Sequence, residues 1–222
     1  MDRVTLYGAA YSVYVRIARL VLEETAVPYE LVEVDVFAKG GPPPDHARRH
    51  PFGKIPAFEH GNFRLFETDA ITTYVLDTFG DRGLVPPTPQ DRARAVQLMR
   101  IMDNYAYPRL VWGVFVEEVE RGRPADIPGT LTADAIESAR HTLSVIDGPA
   151  GSQFLVGDRL TLADLWALPM LTYLRLAPTG RTVLAEFPKL GSWLDVIGKR
   201  PSAVVTRFPL ELKSAGKILG GA

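Results

Sequence analysis

Apolar and polar residues alternate through Val4-Thr5-Leu6-Tyr7 until Gly8 interrupts them, so the chain opens with a short strand. Val13, Ile17, Leu20 and Val21 then share one face of a 3.6-residue repeat, which predicts a helix over 13–24. After Pro28, the stretch from Tyr29 to Val34 alternates again as a second strand. Residues 37–56 are crowded with Gly and Pro, with Gly40-Gly41-Pro42-Pro43-Pro44 among them, and predict loop with at most a short helix. Two further runs, Ala57 to His60 and Phe63 to Phe66, flank Gly61-Asn62 and form the pattern of an antiparallel hairpin. A helix over 68–78 follows, with Ala70, Ile71, Tyr74 and Val75 as its apolar side. The predicted order is βαβ and then ββα.

Gly80, Gly83, Pro86, Pro87 and Pro89 punctuate the next stretch, and strand signals largely disappear beyond it. The expected organisation is a mixed α/β domain over 1–80, a linker over 81–90 and an all-helical domain over 91–222. Helical patterns cover 90–121, with a kink expected at Pro108, and then 131–146, 162–175 and 190–200.

Composition narrows the chemistry. Of 222 residues, 46% are hydrophobic and 23% charged, which supports a proper core. A net charge of −1, from 25 basic and 26 acidic residues, argues against nucleic acid or an anionic membrane as the main partner. The chain has no cysteine, which removes disulfides, thiolate metal sites and a cysteine nucleophile; any thiol must arrive with a ligand. No apolar run is long enough to span a membrane, and Met1-Asp2-Arg3 leads directly into the first strand without a signal peptide, so the expected compartment is the cytoplasm.

Three places carry candidate chemistry. Pro56 sits between a loop and the first hairpin strand, in His50-Pro51-Phe52-Gly53-Lys54-Ile55-Pro56-Ala57, a context that predicts a cis Ile55–Pro56 bond. Such a bond leaves the Ile55 N–H and C=O free to pair with an extended, peptide-like ligand, as in strand addition. Glu67-Thr68 opens a helix; Thr68 suits an N-cap, and the N–H groups behind it suit a carboxylate. Ser12, beside Tyr11, lies near the start of the first helix, where a hydroxyl serves either as an ordinary cap or as a donor to a ligand thiolate.

In this order and spacing, these features resemble the soluble glutathione transferase family over nearly the whole chain. The resemblance includes Pro51-Phe52-Gly53-Lys54-Ile55-Pro56 and Phe66-Glu67-Thr68-Asp69-Ala70-Ile71. It also includes Gly157-Asp158-Arg159-Leu160-Thr161-Leu162-Ala163-Asp164, similar to the family's structural capping box, and the C-terminal Phe187-Pro188-Lys189 and Arg200-Pro201-Ser202. It implies a thioredoxin-like first domain and a helical second domain that contributes the electrophile site. Glutathione is implied as co-substrate, with no metal and with a small hydrophobic electrophile as second substrate. Ile55, beside cis Pro56, is implied to pair with the cysteinyl backbone, Glu67 and Thr68 to hold the γ-glutamyl end, and Lys54 to reach the glycyl carboxylate. Lys39 stands in for a basic pair that serine-type members carry where this chain has Gly41-Pro42. Asp103 is implied as a contact of the γ-glutamyl amine or as a solvated carboxylate.

The family activates its thiol with Ser, Tyr or Cys near the end of the first strand. Here the candidates are Ser12, with Arg16 four residues on as in serine-type (phi- or theta-like, bacterial or fungal) members, then Tyr7, then Tyr11 or a backbone donor. Tyr11, Tyr105, Tyr107, Trp112 and Phe115 are the aromatic candidates for the electrophile pocket, although aromatics at helical spacing also serve as core. A homodimer, built from the third helix of one subunit and the fourth of the other, is the family's arrangement.

Other readings are weaker. His46 and His50 are four residues apart, but no carboxylate completes a metal set and Pro51 follows directly. No nucleophile elbow or phosphate-cradling glycine loop is present. The same fold also serves as a non-catalytic ligand carrier or docking module, or as a glutathione-dependent peroxidase, isomerase or dehalogenase.

Overall fold

The structure, a computed structural model, describes residues 2–120, 131–148 and 153–212. Its first unit runs to Arg82 and takes in the chain again from Pro201; the second spans Gly83–Arg200. The unit containing the sheet is thioredoxin-like. It comprises β1 (Val4–Tyr7), α1 (Val13–Glu24), β2 (Tyr29–Val32), a 3-10 turn (Pro44–Arg48), β3 (Ala57–His60), β4 (Phe63–Phe66) and α2 (Thr68–Phe79). The strand order is β2-β1-β3-β4, with β1 parallel to β2 and the remaining pairs antiparallel.

β2 ends at Val32, two residues short of the predicted strand. β1 has run out beside it: Gly8 donates to the Val32 carbonyl at 3.0 Å, and only a 3.3 Å bond from Val34 to the Gly8 carbonyl follows. Leu6 and Phe58 are fully buried on one sheet face. α1 contributes Val15, Ile17, Leu20, Val21 and Leu22 to the core, and α2 contributes Ile71 and Val75. A Cβ on Gly8 would stand 2.3 Å from Val15 Cγ2, so the close approach of the end of β1 to α1 requires glycine there.

The helical unit begins with α3 (Pro89–Ile101), capped by the Thr88 hydroxyl, which accepts from the Asp91 N–H at 3.0 Å. Met102–Glu120 continues it in wider π-type turns through Pro108, where a kink was expected. Its buried residues, Met102, Ala106, Leu110, Val111, Val114 and Phe115, recur about every four positions, the step those turns impose. Then come α4 (Ala133–Asp147), α5 (Leu162–Leu176), α6 (Pro178–Ala185) and α7 (Pro188–Ile197). α5 is buried from Ala163 to Leu174 and is the central helix of this unit.

The C-terminal boundary differs from the expected 91–222, because α8 (Pro201–Val205) and the described residues after it, to 212, group with the sheet unit. The cause is Arg16 on α1, which is 2% exposed. Its guanidinium donates to Glu211 at 2.6 Å and to the Ala203 carbonyl at 3.2 Å, and lies over the Phe208 ring. Arg16 therefore ties α1 to the stretch from Ala203 to Glu211.

Candidate functional site

The sheet topology gathers the first-unit candidates at one end. β1 and β2 both finish there; β3, antiparallel to β1, starts there; β4 finishes there. That end therefore collects the β1–α1 loop with Tyr11 and Ser12, the chain just after β2, Ile55–Pro56 before β3, and Glu67–Thr68 after β4.

The Ile55–Pro56 bond is cis, as its context predicted. Ile55 is half-buried, and among the described residues neither its N–H nor its C=O has an internal hydrogen-bond partner. The approach to it is braced. His46, completely buried, donates through Nε2 to the Lys54 carbonyl at 2.7 Å, and the buried His50 ring packs 4.9 Å from Phe66. Burial holds the His50 imidazole below its usual range, so it is neutral near pH 7. The sequence carried no signal for these bracing roles, since His46 meets its partner through a turn that no periodicity reveals.

Glu67, not Thr68, is the N-cap of α2, and its side chain makes no capping bond. Its backbone has φ 72 and ψ 122, a left-handed conformation that costs a non-glycine residue on the order of 1–3 kcal/mol. The Glu67 side chain is exposed, and Thr68 is buried as the first helical residue. Lys39 and Lys54 are exposed, and among the described residues neither has an ion-pair partner.

The hydroxyl candidates differ in what holds their protons. Tyr7 donates to Glu59 at 2.7 Å on the sheet face, beneath the Arg49 guanidinium. Burial first, and then the Glu59 carboxylate, pushes its phenol above the usual range. Tyr11 donates to Asp35 at 2.6 Å and is pushed well above the usual range, by burial first and then by the Asp35 carboxylate. Ser12 is the N-cap of α1. Its Oγ accepts from the Val15 N–H at a long 3.4 Å, and among the described residues nothing accepts its proton. No acidic residue occupies the first turn of α1, so the positive end of that helix is uncompensated.

The helical-unit candidates divide. Asp103 accepts from Trp166 Nε1 at 3.0 Å and pairs with Arg100 at 3.1 Å, so its carboxylate is engaged inside its own unit. Phe115 is 3% exposed, with its ring 4.3 Å from that of Tyr173, and is a core residue. Tyr105 and Trp112 are exposed at 48% and 38%; Tyr107 packs edge-on to Trp112.

Comparison with known proteins follows the same division. Residues 2–77 match the family described as glutathione S-transferase, N-terminal domain, and residues 123–201 match glutathione S-transferase, C-terminal domain. The chain is 31% identical over 208 residues to glutathione S-transferase F6 of Arabidopsis thaliana, covering 91% of this chain and 98% of that one. It is 27% identical to glutathione S-transferase 1 of Triticum aestivum, covering 96% and 98%. Among solved structures it is similar to glutathione transferase F2 of Populus trichocarpa (TM-score 0.79, 28% identity, covering 96% and 100%). It is also similar to a glutathione S-transferase-I bound with lactoylglutathione (TM-score 0.77, 26% identity, covering 92% and 98%).

Proposed function

Because the chain belongs to the glutathione S-transferase family, we propose that it joins the thiolate of glutathione to small hydrophobic electrophiles, with Ser12 stabilising that thiolate. The observation that carries Ser12 is the state of its proton. Tyr7 and Tyr11 each spend theirs on a carboxylate, whereas the Ser12 hydroxyl has no acceptor among the described residues.

In this reading the cis-proline edge at Ile55 pairs with the cysteinyl backbone, as an added strand does. The strained Glu67 and the N-terminus of α2 receive the γ-glutamyl end. Lys54 and Lys39 serve the glycyl carboxylate. The thiol loses its proton to solvent, and Ser12 donates to the resulting anion at the start of α1. A free thiol titrates near 8.5, and lowering that by about two units takes roughly 2.7 kcal/mol. One hydrogen bond to a charged group contributes about 1.5–3 kcal/mol and the helix end about 0.3–1 kcal/mol, so no general base is required. The thiolate then forms a C–S bond as the leaving group departs with its electron pair. Tyr11, Tyr105 and Trp112 are the side chains we assign to the electrophile, with detoxification in the cytoplasm as the setting and a homodimer as the assembly. Among the described residues, no helix is long and apolar enough to cross a membrane.

Titrating the thiolate absorbance of bound glutathione tests the reading. Ser12→Ala is expected to return the thiol toward its free value and to lower kcat/KM with an aryl halide about 10- to 100-fold, with glutathione affinity little changed. An unaltered thiol pKa in that variant sinks Ser12. Retention on immobilised glutathione without turnover of any electrophile makes the protein a carrier, and sedimentation at low concentration tests the dimer.

A further inference from the structure

The β1–α1 loop presents two neighbouring hydroxyls, Tyr11 and Ser12, and a carboxylate from the chain just after β2 holds one of them. Asp35 lies three residues past β2, whose end runs beside that of β1 through the Gly8 to Val32 and Val34 to Gly8 bonds. Asp35 Oδ1 accepts two bonds, from the Tyr11 hydroxyl at 2.6 Å and from the Phe37 N–H at 2.9 Å. The second bond fixes the turn at 35–37, and the Phe37 ring lies 5.8 Å from that of Tyr11. A phenol has one proton, and here it points at Asp35.

We infer that Asp35 is a positioning residue that keeps the thiolate site dependent on a single donor, by holding the Tyr11 hydroxyl proton away from the sulfur that Ser12 serves. This rests on the proposed role of Ser12 and adds to it a reason why the adjacent tyrosine does not share the work. Charge and burial act in the same direction as the geometry: Tyr11 is pushed up by burial and then by Asp35, while Asp35 is held below its usual range, first by the Tyr11 bond and then by the Phe37 N–H. The Tyr7–Glu59 pair repeats the arrangement on the sheet face, but Glu59 is also bound to Arg49 and Arg64, so removing it would disturb two ion pairs as well. Asp35 is exposed, so its substitution is the cleaner probe.

The test is a set of variants read by the thiol pKa of bound glutathione and by kcat/KM with an aryl halide. Ser12→Ala alone loses the donor. Adding Asp35→Ala releases the Tyr11 proton, and the double variant is expected to lower the thiol pKa again and to regain about 10-fold or more of the lost kcat/KM. Replacing Tyr11 by Phe in that background abolishes the recovery. Ser12→Ala with Asp35→Asn stays at the single-variant level, because the asparagine oxygen still accepts the phenol proton. A low kcat/KM in Ser12→Ala that Asp35→Ala leaves unimproved, with glutathione still bound, overturns this inference and leaves the Ser12 reading standing. A Ser12→Ala enzyme with unchanged thiol pKa overturns both.

Discussion

Of the helix starts that carry a hydroxyl at the N-cap, those of α1 and α5 use it in opposite ways. At α1, Ser12 is half-buried and accepts one long bond from Val15. At α5, Thr161 is buried and Asp164 is completely so, and the carboxylate is saturated: it accepts from the Thr161 N–H at 2.9 Å, the Thr161 hydroxyl at 3.1 Å, the Leu155 N–H at 2.9 Å and Trp193 Nε1 at 2.8 Å. Asp164 reaches back to its N-cap as a capping box requires, and in doing so knots the approach to α5 and a residue of α7 to the central helix. A buried polar group with every partner present stabilises a fold but has nothing left for a ligand. The Ser12 cap holds its helix weakly and keeps a proton in reserve. The difference separates a cap that serves the fold from one that serves chemistry.

Asp164→Ala is the harshest test of that contrast. It strands several buried donors, each worth about 1–3 kcal/mol, so a stability loss above about 3 kcal/mol and a Tm drop of roughly 6–12 °C are expected in thermal unfolding. A near-neutral result would mean that the knot does not hold the helical unit together. Gly8→Ala comes next: the added Cβ collides with Val15, costing about 1–3 kcal/mol, and because it displaces the start of α1 it should lower turnover along with stability. Ser12→Ala should cost no more than about 1 kcal/mol of stability, given its long bond, while carrying the kinetic loss described above; Ser12→Thr should restore cap and donor together. If denaturant midpoints rank Ser12→Ala beside Asp164→Ala, the two caps are not different in kind.

Acid gives the smallest and most selective effect, with opposite signs in the two regions. The lowered pKa of His50 means that its contribution is present above the unfolded value near 6.5 and is lost as pH falls through the folded one. Asp164 is pushed up, first by burial against the pull of its bonds, so its contribution is present at low pH and declines as pH rises through the folded value. Lowering the pH from 7 to 5 should therefore lower the amide protection factors, taken relative to the intrinsic exchange rate at each pH, at 44–54 and not at 155–164. His50→Phe, which keeps a ring against Phe66, should flatten the response of the loop.

Much of the fold was legible in the chain. β1, α1, both hairpin strands and the start of α2 lie where period-2 and period-3.6 patterns put them. α6 is too short to show a periodicity of its own, although Pro178 stands at its first position, as Pro188 does in α7 and Pro201 in α8. At the candidate site the cis bond followed from a local motif, and in the helical unit so did the reach of Asp164 to Thr161. The strain at Glu67 left no mark in the sequence, since any residue type can be written at a position whose φ only the surrounding turn dictates.

The amino-acid sequence by itself determined the elements, their order, the absence of a protein thiol and the placing of three hydroxyls at the end of the first strand, because these rest on residue type and near-neighbour spacing. The tertiary structure decided which hydroxyl keeps its proton. Tyr7 meets Glu59 across 52 residues and Tyr11 meets Asp35 across 24. It likewise turned Arg16, a plausible partner of Ser12 in sequence, toward Glu211 across 195 residues. A proton goes to the acceptor within hydrogen-bonding distance, and that distance is set only when the strands have paired and α1 has packed against the stretch that follows α8.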